Sequence, residues 1–154
     1  MVSTPTTHDQ LASPQHLTAA RVNPILIFSP DPDIARSLTL LLEETYAVES
    51  ETNLASLEAH INRLHSPLLL VDLYSLPPDI LKTVEVLKRR SEKNPVVMFH
   101  VFRNSRPEIE QAIRSVSDLI LYKPINAELV TELVSVLMAI HHSSTPAKES
   151  ELKL

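Results

Sequence analysis

The chain of 154 residues contains 14 basic and 19 acidic residues, no cysteine and no glycine. The missing cysteine excludes disulfides, thiolate metal sites and thiol nucleophiles, and the missing glycine excludes glycine-rich phosphate loops and dinucleotide-binding turns. The net charge of −5 comes without a basic block and argues against nucleic-acid binding. No apolar run approaches the roughly 18 residues of a membrane span, and no secretory signal is visible. We therefore expect a cytoplasmic domain without membrane contact.

Polar segments flank a central region with regular apolar patterning. Residues 1–23 are rich in Ser, Thr, Pro and Gln, which predicts a flexible N-terminal tail, and residues 142–154 predict a flexible C-terminal tail. Residues 24–141 alternate short apolar runs with amphipathic segments. This pattern predicts one folded domain between the two tails.

Five short segments of the central region predict β-strands. The segment 47–50 is the weakest, and its Glu49 is typical of an edge strand exposed to water. The other four are nearly continuous apolar runs, as in parallel strands covered on both faces: 25–28, 68–71, 96–101 and 119–122.

Five segments between and after these strands predict helices. Asp31 before Pro32, the sequence SRPE at 105–108 and Asn126 are typical of helix starts. Because glycine is absent, turns that elsewhere need a positive φ are predicted to use Asn53, Asn94, Asn104, Asp118 or similar residues, or to avoid that geometry. The apolar stripes are Ile34, Leu38, Leu41 and Leu42; Leu54, Leu57, Ile61 and Leu64; Leu81, Val84 and Leu87; Ile109, Ala112, Ile113 and Val116; and Leu129, Val130, Leu133, Val134 and Leu137.

Strict alternation of strands and helices predicts an α/β fold: a (βα)5 three-layer sandwich around a five-stranded parallel sheet with right-handed crossovers. In such sheets functional side chains gather at the carboxyl ends of the strands. The residues expected there are Ser29, Pro30, Asp72, His100 and Lys123.

Four segments carry a resemblance to a known family. They are PILIFSPDPDIARSL from residue 24, LLLVDLYSLPPDIL from 68, NPVVMFHV from 94 and DLILYKPINAELV from 118. In this order and spacing the chain resembles the receiver domains of two-component response regulators over residues 24–140. The resemblance implies a flavodoxin-like fold, a phosphoacceptor at Asp72 and a phosphate-contacting lysine at Lys123. It also implies a cis Lys123–Pro124 peptide bond, and phosphoryl transfer from a histidine kinase with Mg²⁺ as cofactor.

The same comparison exposes departures from the family pattern. Ser29 and Pro30 stand where an acidic pair should bind magnesium, and neither offers a carboxylate. His100 occupies the position of a phosphate-contacting Thr or Ser, and Ile120 that of the switch aromatic residue. These departures indicate a divergent receiver or pseudo-receiver, for which no cofactor is certain.

Several residues keep more than one interpretation. Asp31 is read as a helix cap, with a metal-binding role beside Asp72 as the alternative. Asp72 has three interpretations. It forms an acidic functional site with Lys123, it forms a purely structural ion pair with Lys123, or it caps loop amides at the end of its strand. His100 is either a phosphate contact or a hydrogen-bonded histidine at a strand end.

We expect a signalling module that acts through protein–protein contact and has no catalytic activity of its own. Its alternative is a phosphorylatable response regulator that receives phosphate on Asp72 from a histidine kinase. A passive dimerising unit is a third interpretation. The resemblance implies an interface on the fourth helix, fifth strand and fifth helix, which would bind a partner or form a homodimer. This face carries Arg106, Glu108, Glu110, Arg114, Asp118, Glu128 and Glu132.

Overall fold

The computed structural model describes residues 23–74, 76–91, 94–100 and 106–144. Its strands form one parallel sheet in the order β2-β1-β3-β4-β5, which confirms the predicted (βα)5 sandwich and its flavodoxin-like topology. The strands are β1 (Ile25–Phe28), β2 (Val48–Glu51), β3 (Leu69–Asp72), β4 (Val96–His100) and β5 (Leu119–Tyr122). The helices are α1 (Pro32–Leu42), α2 (Leu54–Leu64), α3 (Pro77–Lys88), α4 (Pro107–Val116) and α5 (Ala127–Ser144).

Two hydrophobic cores cover the two faces of the sheet. Successive strand side chains point to opposite faces, so Leu26 and Phe28 pack with α2, α3 and α4, while Ile25 and Ile27 pack with α1 and α5. The three-layer arrangement therefore follows from inner strands whose side chains are buried on both faces of the sheet.

Side-chain caps begin three of the helices. Asp31 Oδ1 accepts from the Asp33 amide at 2.9 Å, Asn53 Oδ1 from the Ala55 amide at 2.9 Å, and Asn126 Oδ1 from the Leu129 amide at 3.0 Å. The predicted caps at Asp31 and Asn126 are thus confirmed.

The start of α4 differs from the predicted capping box. Its N-cap residue is Arg106, which makes no side-chain cap hydrogen bond, and Pro107 occupies the first turn. Proline suits the first helical position because its φ is already helical and its missing N–H costs nothing there. Ser105, the expected cap, lies outside the described residues.

Four predicted apolar positions are more exposed than expected. The strand β5 was expected to be covered on both faces, yet Leu119 and Tyr122 are 37% and 38% exposed because β5 lies at the edge of the sheet. In α3, Leu81 is exposed and Ile80 takes the core position, and in α5 Leu129 is exposed. The apolar period of a helix predicts its buried face only to within about one residue along the sequence. The element that packs against the helix decides which residue is buried.

In the described part of the chain, most turns avoid a positive φ, as one of the two predicted alternatives has it. Among the described residues, His65 alone has a positive φ, 49°, at the C-terminal end of α2. The Asn53 backbone is extended, Asn94 and Asp118 do not have positive φ either, and Asn104 lies outside the described residues.

The predicted boundaries are only partly covered. The helix α5 continues through Ser144, beyond the expected start of the tail at residue 142, while residues 1–22 and 145–154 lie outside the described part. Val101, the last residue of the predicted fourth strand, also lies outside it. None of the described helices is long and apolar enough to cross a membrane.

Candidate functional site

Three strand ends bring Asp72, Ser29 and Lys123 together at the carboxyl edge of the sheet. Asp72 is the last residue of β3 and is 3% exposed. The Ser29 hydroxyl donates to Asp72 Oδ2 at 2.7 Å, and Lys123 Nζ lies 2.5 Å from Asp72 Oδ1. One carboxylate oxygen therefore accepts a hydrogen bond from Ser29, and the other is in ion-pair contact with Lys123 without a hydrogen bond from any described residue.

Lys123 reaches this carboxylate from beyond the neighbouring strand. Its backbone amide donates to the His100 carbonyl at 2.8 Å, which continues the pairing of β5 with β4. Its ammonium also donates to the Leu73 carbonyl at 3.1 Å, and the Lys123–Pro124 peptide bond is cis, as the family resemblance implies. The lysine therefore binds both the carboxylate and the backbone that follows it.

Ser29 and Asp31 connect the site to α1. The Asp31 amide donates to the Ser29 hydroxyl oxygen at 3.0 Å, so this hydroxyl accepts one hydrogen bond and donates another. The Asp31 carboxylate caps α1 by accepting a hydrogen bond from the Asp33 amide. The local geometry matches the capping interpretation of Asp31.

The residues at this edge do not fit a magnesium ion. Magnesium requires near-octahedral oxygen ligands and is usually bound through carboxylates. Here a hydroxyl and a proline occupy the expected acidic positions, and Lys123 occupies one oxygen of Asp72. Within the described ranges, no group of three or more His, Asp or Glu side chains is arranged to hold a metal ion.

His100 lies beside α4 and β5. Its side chain is 3% exposed, its Nε2 is 3.9 Å from Glu110 Oε2, and its ring centroid is 6.5 Å from that of Tyr122. Burial lowers the pKa of His100, Glu110 opposes this, and Lys123 lowers the pKa further, so the net pKa lies below its usual value. A contact between His100 and a phosphoryl group stays a prediction.

Sequence reasoning missed two tyrosines near the site. The Tyr74 hydroxyl donates to the Pro30 carbonyl at 3.2 Å across the carboxyl edge, and no local pattern indicated it. Tyr122 pairs in register with His100, which the alignment of β4 with β5 would have revealed. Ile120, at the predicted switch position, is partly buried against the core formed with α2, α3 and α4.

Solved structures of receiver domains are similar to this chain. A response regulator receiver domain from Methanospirillum hungatei is 22% identical, covers 79% of this chain and 98% of its own, and superposes with a TM-score of 0.66. A two-component response regulator from Clostridium difficile is 23% identical, with coverages of 76% and 96% and a TM-score of 0.64. The chemotaxis protein CheY4 from Vibrio cholerae is 18% identical, with coverages of 75% and 98% and a TM-score of 0.61.

These likenesses establish the fold alone, because all three sequence identities lie well below the range in which function is shared reliably. The chain has the fold of response regulator receiver domains. No protein-family model and no curated protein matches the sequence.

Proposed function

We propose that this protein is a signal-transduction module with a receiver fold that acts in the cytoplasm through protein–protein contact, with a degenerate phosphoacceptor site at Asp72. One observation carries the proposal. One oxygen of the Asp72 carboxylate accepts a hydrogen bond from the Ser29 hydroxyl, and the other is in ion-pair contact with the Lys123 ammonium.

The charge balance of the site supports this proposal. One carboxylate faces one ammonium and one neutral hydroxyl, so the site is close to neutral without any added ion. A phosphoryl group would bring further negative charge, which receivers balance with a magnesium ion that is held by acidic ligands. Ser29 and Pro30 cannot supply those ligands. The site therefore favours a module whose output does not require phosphate.

The surface formed by α4, β5 and α5 is the proposed contact face. Its exposed apolar side chains lie among charged residues of both signs, an arrangement typical of interfaces that bury an apolar centre within a polar rim. We assign it to a protein partner, with a second copy of this chain as the first candidate. The apolar residues are Leu119, Tyr122, Leu129, Val136 and Ile140, and the charged ones are Arg106, Glu108, Glu110, Arg114, Asp118, Glu128 and Glu132.

The alternative function is a phosphorylatable response regulator that receives phosphate on Asp72 from a histidine kinase. The 2.5 Å contact of Lys123 with Asp72 favours it, because a lysine so placed would also contact phosphoryl oxygens. In this alternative Mg²⁺ is required, and its remaining ligands would have to come from groups other than Ser29 and Pro30.

Thermal melting with and without beryllofluoride plus magnesium separates the two functions. Beryllofluoride mimics an aspartyl phosphate, and a ligand that binds only the folded state raises the melting temperature. We expect no rise in melting temperature for the wild type or for Asp72→Asn. The same is expected for Asp33→Asn, a control that removes a carboxylate from the first turn of α1. A rise in the wild type and Asp33→Asn that is absent from Asp72→Asn would instead establish the phosphoacceptor.

A further inference from the structure

A cluster of polar side chains links α4 to the ends of β4 and β5, outside the Asp72 site. Glu110 on α4 is the residue that the other members of this cluster approach. Its Oε1 accepts from the Tyr122 hydroxyl at 3.0 Å and from Arg114 Nη2 at 3.1 Å, and its Oε2 lies 3.9 Å from His100 Nε2. One carboxylate thus faces groups from three elements of the fold.

At neutral pH the Glu110 carboxylate accepts hydrogen bonds from the two exposed residues of this cluster, Tyr122 and Arg114. A separation of 3.9 Å is too long for a hydrogen bond, so Glu110 is held by Tyr122 and Arg114 and is only close to His100. The bond from Tyr122 to Glu110 raises the pKa of the tyrosine, which keeps its hydroxyl protonated and donating.

The environment of His100 disfavours its charged form. The imidazole is almost fully buried, and the Lys123 ammonium acts on it from the end of β5, where it is paired with Asp72 of β3. Glu110 from α4 acts in the opposite direction, and the neutral Tyr122 ring from β5 lies alongside. Burial is the largest influence, so the imidazole is neutral at pH 7.

Protonation would change what Glu110 binds. A buried imidazolium needs a paired acceptor, and the Glu110 carboxylate lies within 4 Å of its Nε2. A shift of about 1 Å would bring the two groups to the distance of a charge-assisted hydrogen bond. Because the Glu110 side chain is 23% exposed, it can make such a shift without moving the buried residues of α4.

We propose that His100, Glu110 and Tyr122 form a proton-operated switch that sets the surface between α4 and β5. With His100 neutral, Glu110 holds the Tyr122 hydroxyl and the Arg114 guanidinium. With His100 protonated, Glu110 pairs with the imidazolium and releases both. The switch requires neither phosphate nor a bound partner, so it stands independently of the function proposed above.

The test is an NMR titration of the full chain from about pH 8 to about pH 5, which spans the usual range of histidine. Ring-labelled histidine and tyrosine report on both ends of the switch, and Tyr122→Phe assigns the tyrosine signals. We expect one histidine to titrate with a midpoint below about 6.5 and the Tyr122 ring signals to move with the same midpoint. His100→Gln should abolish both transitions.

Two glutamate variants of α4 provide the matched comparison. Glu110→Gln removes the carboxylate, so the His100 midpoint should fall and the coupled transition of Tyr122 should disappear. Glu108→Gln, on an exposed position of the same helix, should leave both unchanged. If His100→Gln does not fold, Glu110→Gln alone decides, because its loss of the Tyr122 transition supports the switch.

Three outcomes would overturn the proposal. Tyr122 signals that stay constant through the His100 midpoint would show that the two groups are not linked. A Tyr122 transition that persists in His100→Gln or Glu110→Gln would have another origin. If His100 stays neutral until the protein unfolds, protonation of its imidazole cannot operate a switch in the folded protein.

Discussion

Asp72 and Lys123 depend on each other because the carboxylate has little access to water. Asp72 is 3% exposed and Lys123 is 22% exposed, so loss of the lysine would strand a buried charge, whereas loss of the aspartate would leave an ammonium that can reach solvent. A buried ion pair is a weak source of stability, and its value lies in holding a particular arrangement. At the scale of single residues, the candidate site is therefore stable only as a unit.

A double-mutant cycle measures this dependence. We expect Lys123→Met to lower the free energy of unfolding by about 3 kcal/mol, because it leaves the Asp72 carboxylate buried without a cation. The Asp72→Asn variant should lose less, and adding Lys123→Met to it should cost little more. Urea denaturation of the four proteins gives the coupling. Costs that simply add would show that the two side chains do not stabilise each other.

Single-residue patterns also determined where the helices α1 and α5 begin. Asp31 and Asn126 were predicted as caps from their residue type and the segments that follow, and both accept the expected amide hydrogen bonds. Tyr74 and Tyr122 could not be assigned partners in this way. Tyr74 donates to Pro30, 44 positions away in the chain, and such a partner is set by the fold rather than by local sequence.

At the scale of elements, the two edge strands of the sheet differ. The outer strand β2 carries Glu49 and Glu51, and His60 of α2 lies between them, with Nδ1 2.8 Å from Glu51 and Nε2 3.1 Å from Glu49. Burial tends to raise the pKa of Glu51, but hydrogen bonds from Asn53, His60 and Thr52 lower it on balance. Charged groups on an edge discourage pairing with another chain, and β5, with the sequence LILY, has no such groups within the strand.

The end of α2 shows how a chain without glycine makes a left-handed turn. His65 has φ 49° and ψ 46°, a conformation that costs most residues about 1 kcal/mol because Cβ crowds the following carbonyl. Glycine is the usual residue at such a helix end. The turn is formed here at the expense of local backbone energy.

We expect His65→Gly to be more stable than His65→Ala by about 1 kcal/mol, since these variants differ only in Cβ at a position with positive φ. Comparing them with each other, rather than with the wild type, removes the contribution of the histidine side chain. Thermal denaturation of the pair measures the difference. Equal stabilities would indicate that the turn relaxes away from this conformation in solution.

At the scale of the whole molecule, the sheet separates two cores, and β5 and α5 are among the elements that expose apolar residues. The face of α2, α3 and α4 and the face of α1 and α5 are each filled by strand side chains. On α5, Leu129, Val136 and Ile140 are 48%, 52% and 57% exposed, and they add to the exposed side chains of β5. A helix with an apolar stripe outside the core is typical of a contact surface.

If a second copy binds this surface, the wild type should be a dimer at high micromolar concentration. We expect Val136→Glu and Ile140→Glu each to shift it to monomer, because a charge would be buried at the contact. Leu81→Glu, on an exposed apolar position of α3, is the matched control and should leave the dimer intact. Sedimentation equilibrium distinguishes these states. A monomeric wild type would assign the surface to a different protein.

The sequence by itself determined the order and type of the elements, since four of the strands are nearly continuous apolar runs and each helix has a 3.6-residue stripe. It also identified Asp72, Lys123, Ser29 and His100 as residues of one sheet edge, because parallel strands end on the same side. These conclusions need only periodicity and the rules of parallel topology.

Tertiary structure decided which of the interpretations of that edge apply and which further side chains reach it. The strand order leaves β5 at the border of the sheet and thereby exposes Leu119 and Tyr122, which an apolar pattern cannot foresee. The same order lets Lys123 reach past β4 to Asp72 and places Tyr122 beside His100. Contacts between residues distant in the chain depend on strand order and helix rotation, and neither is encoded in any single segment.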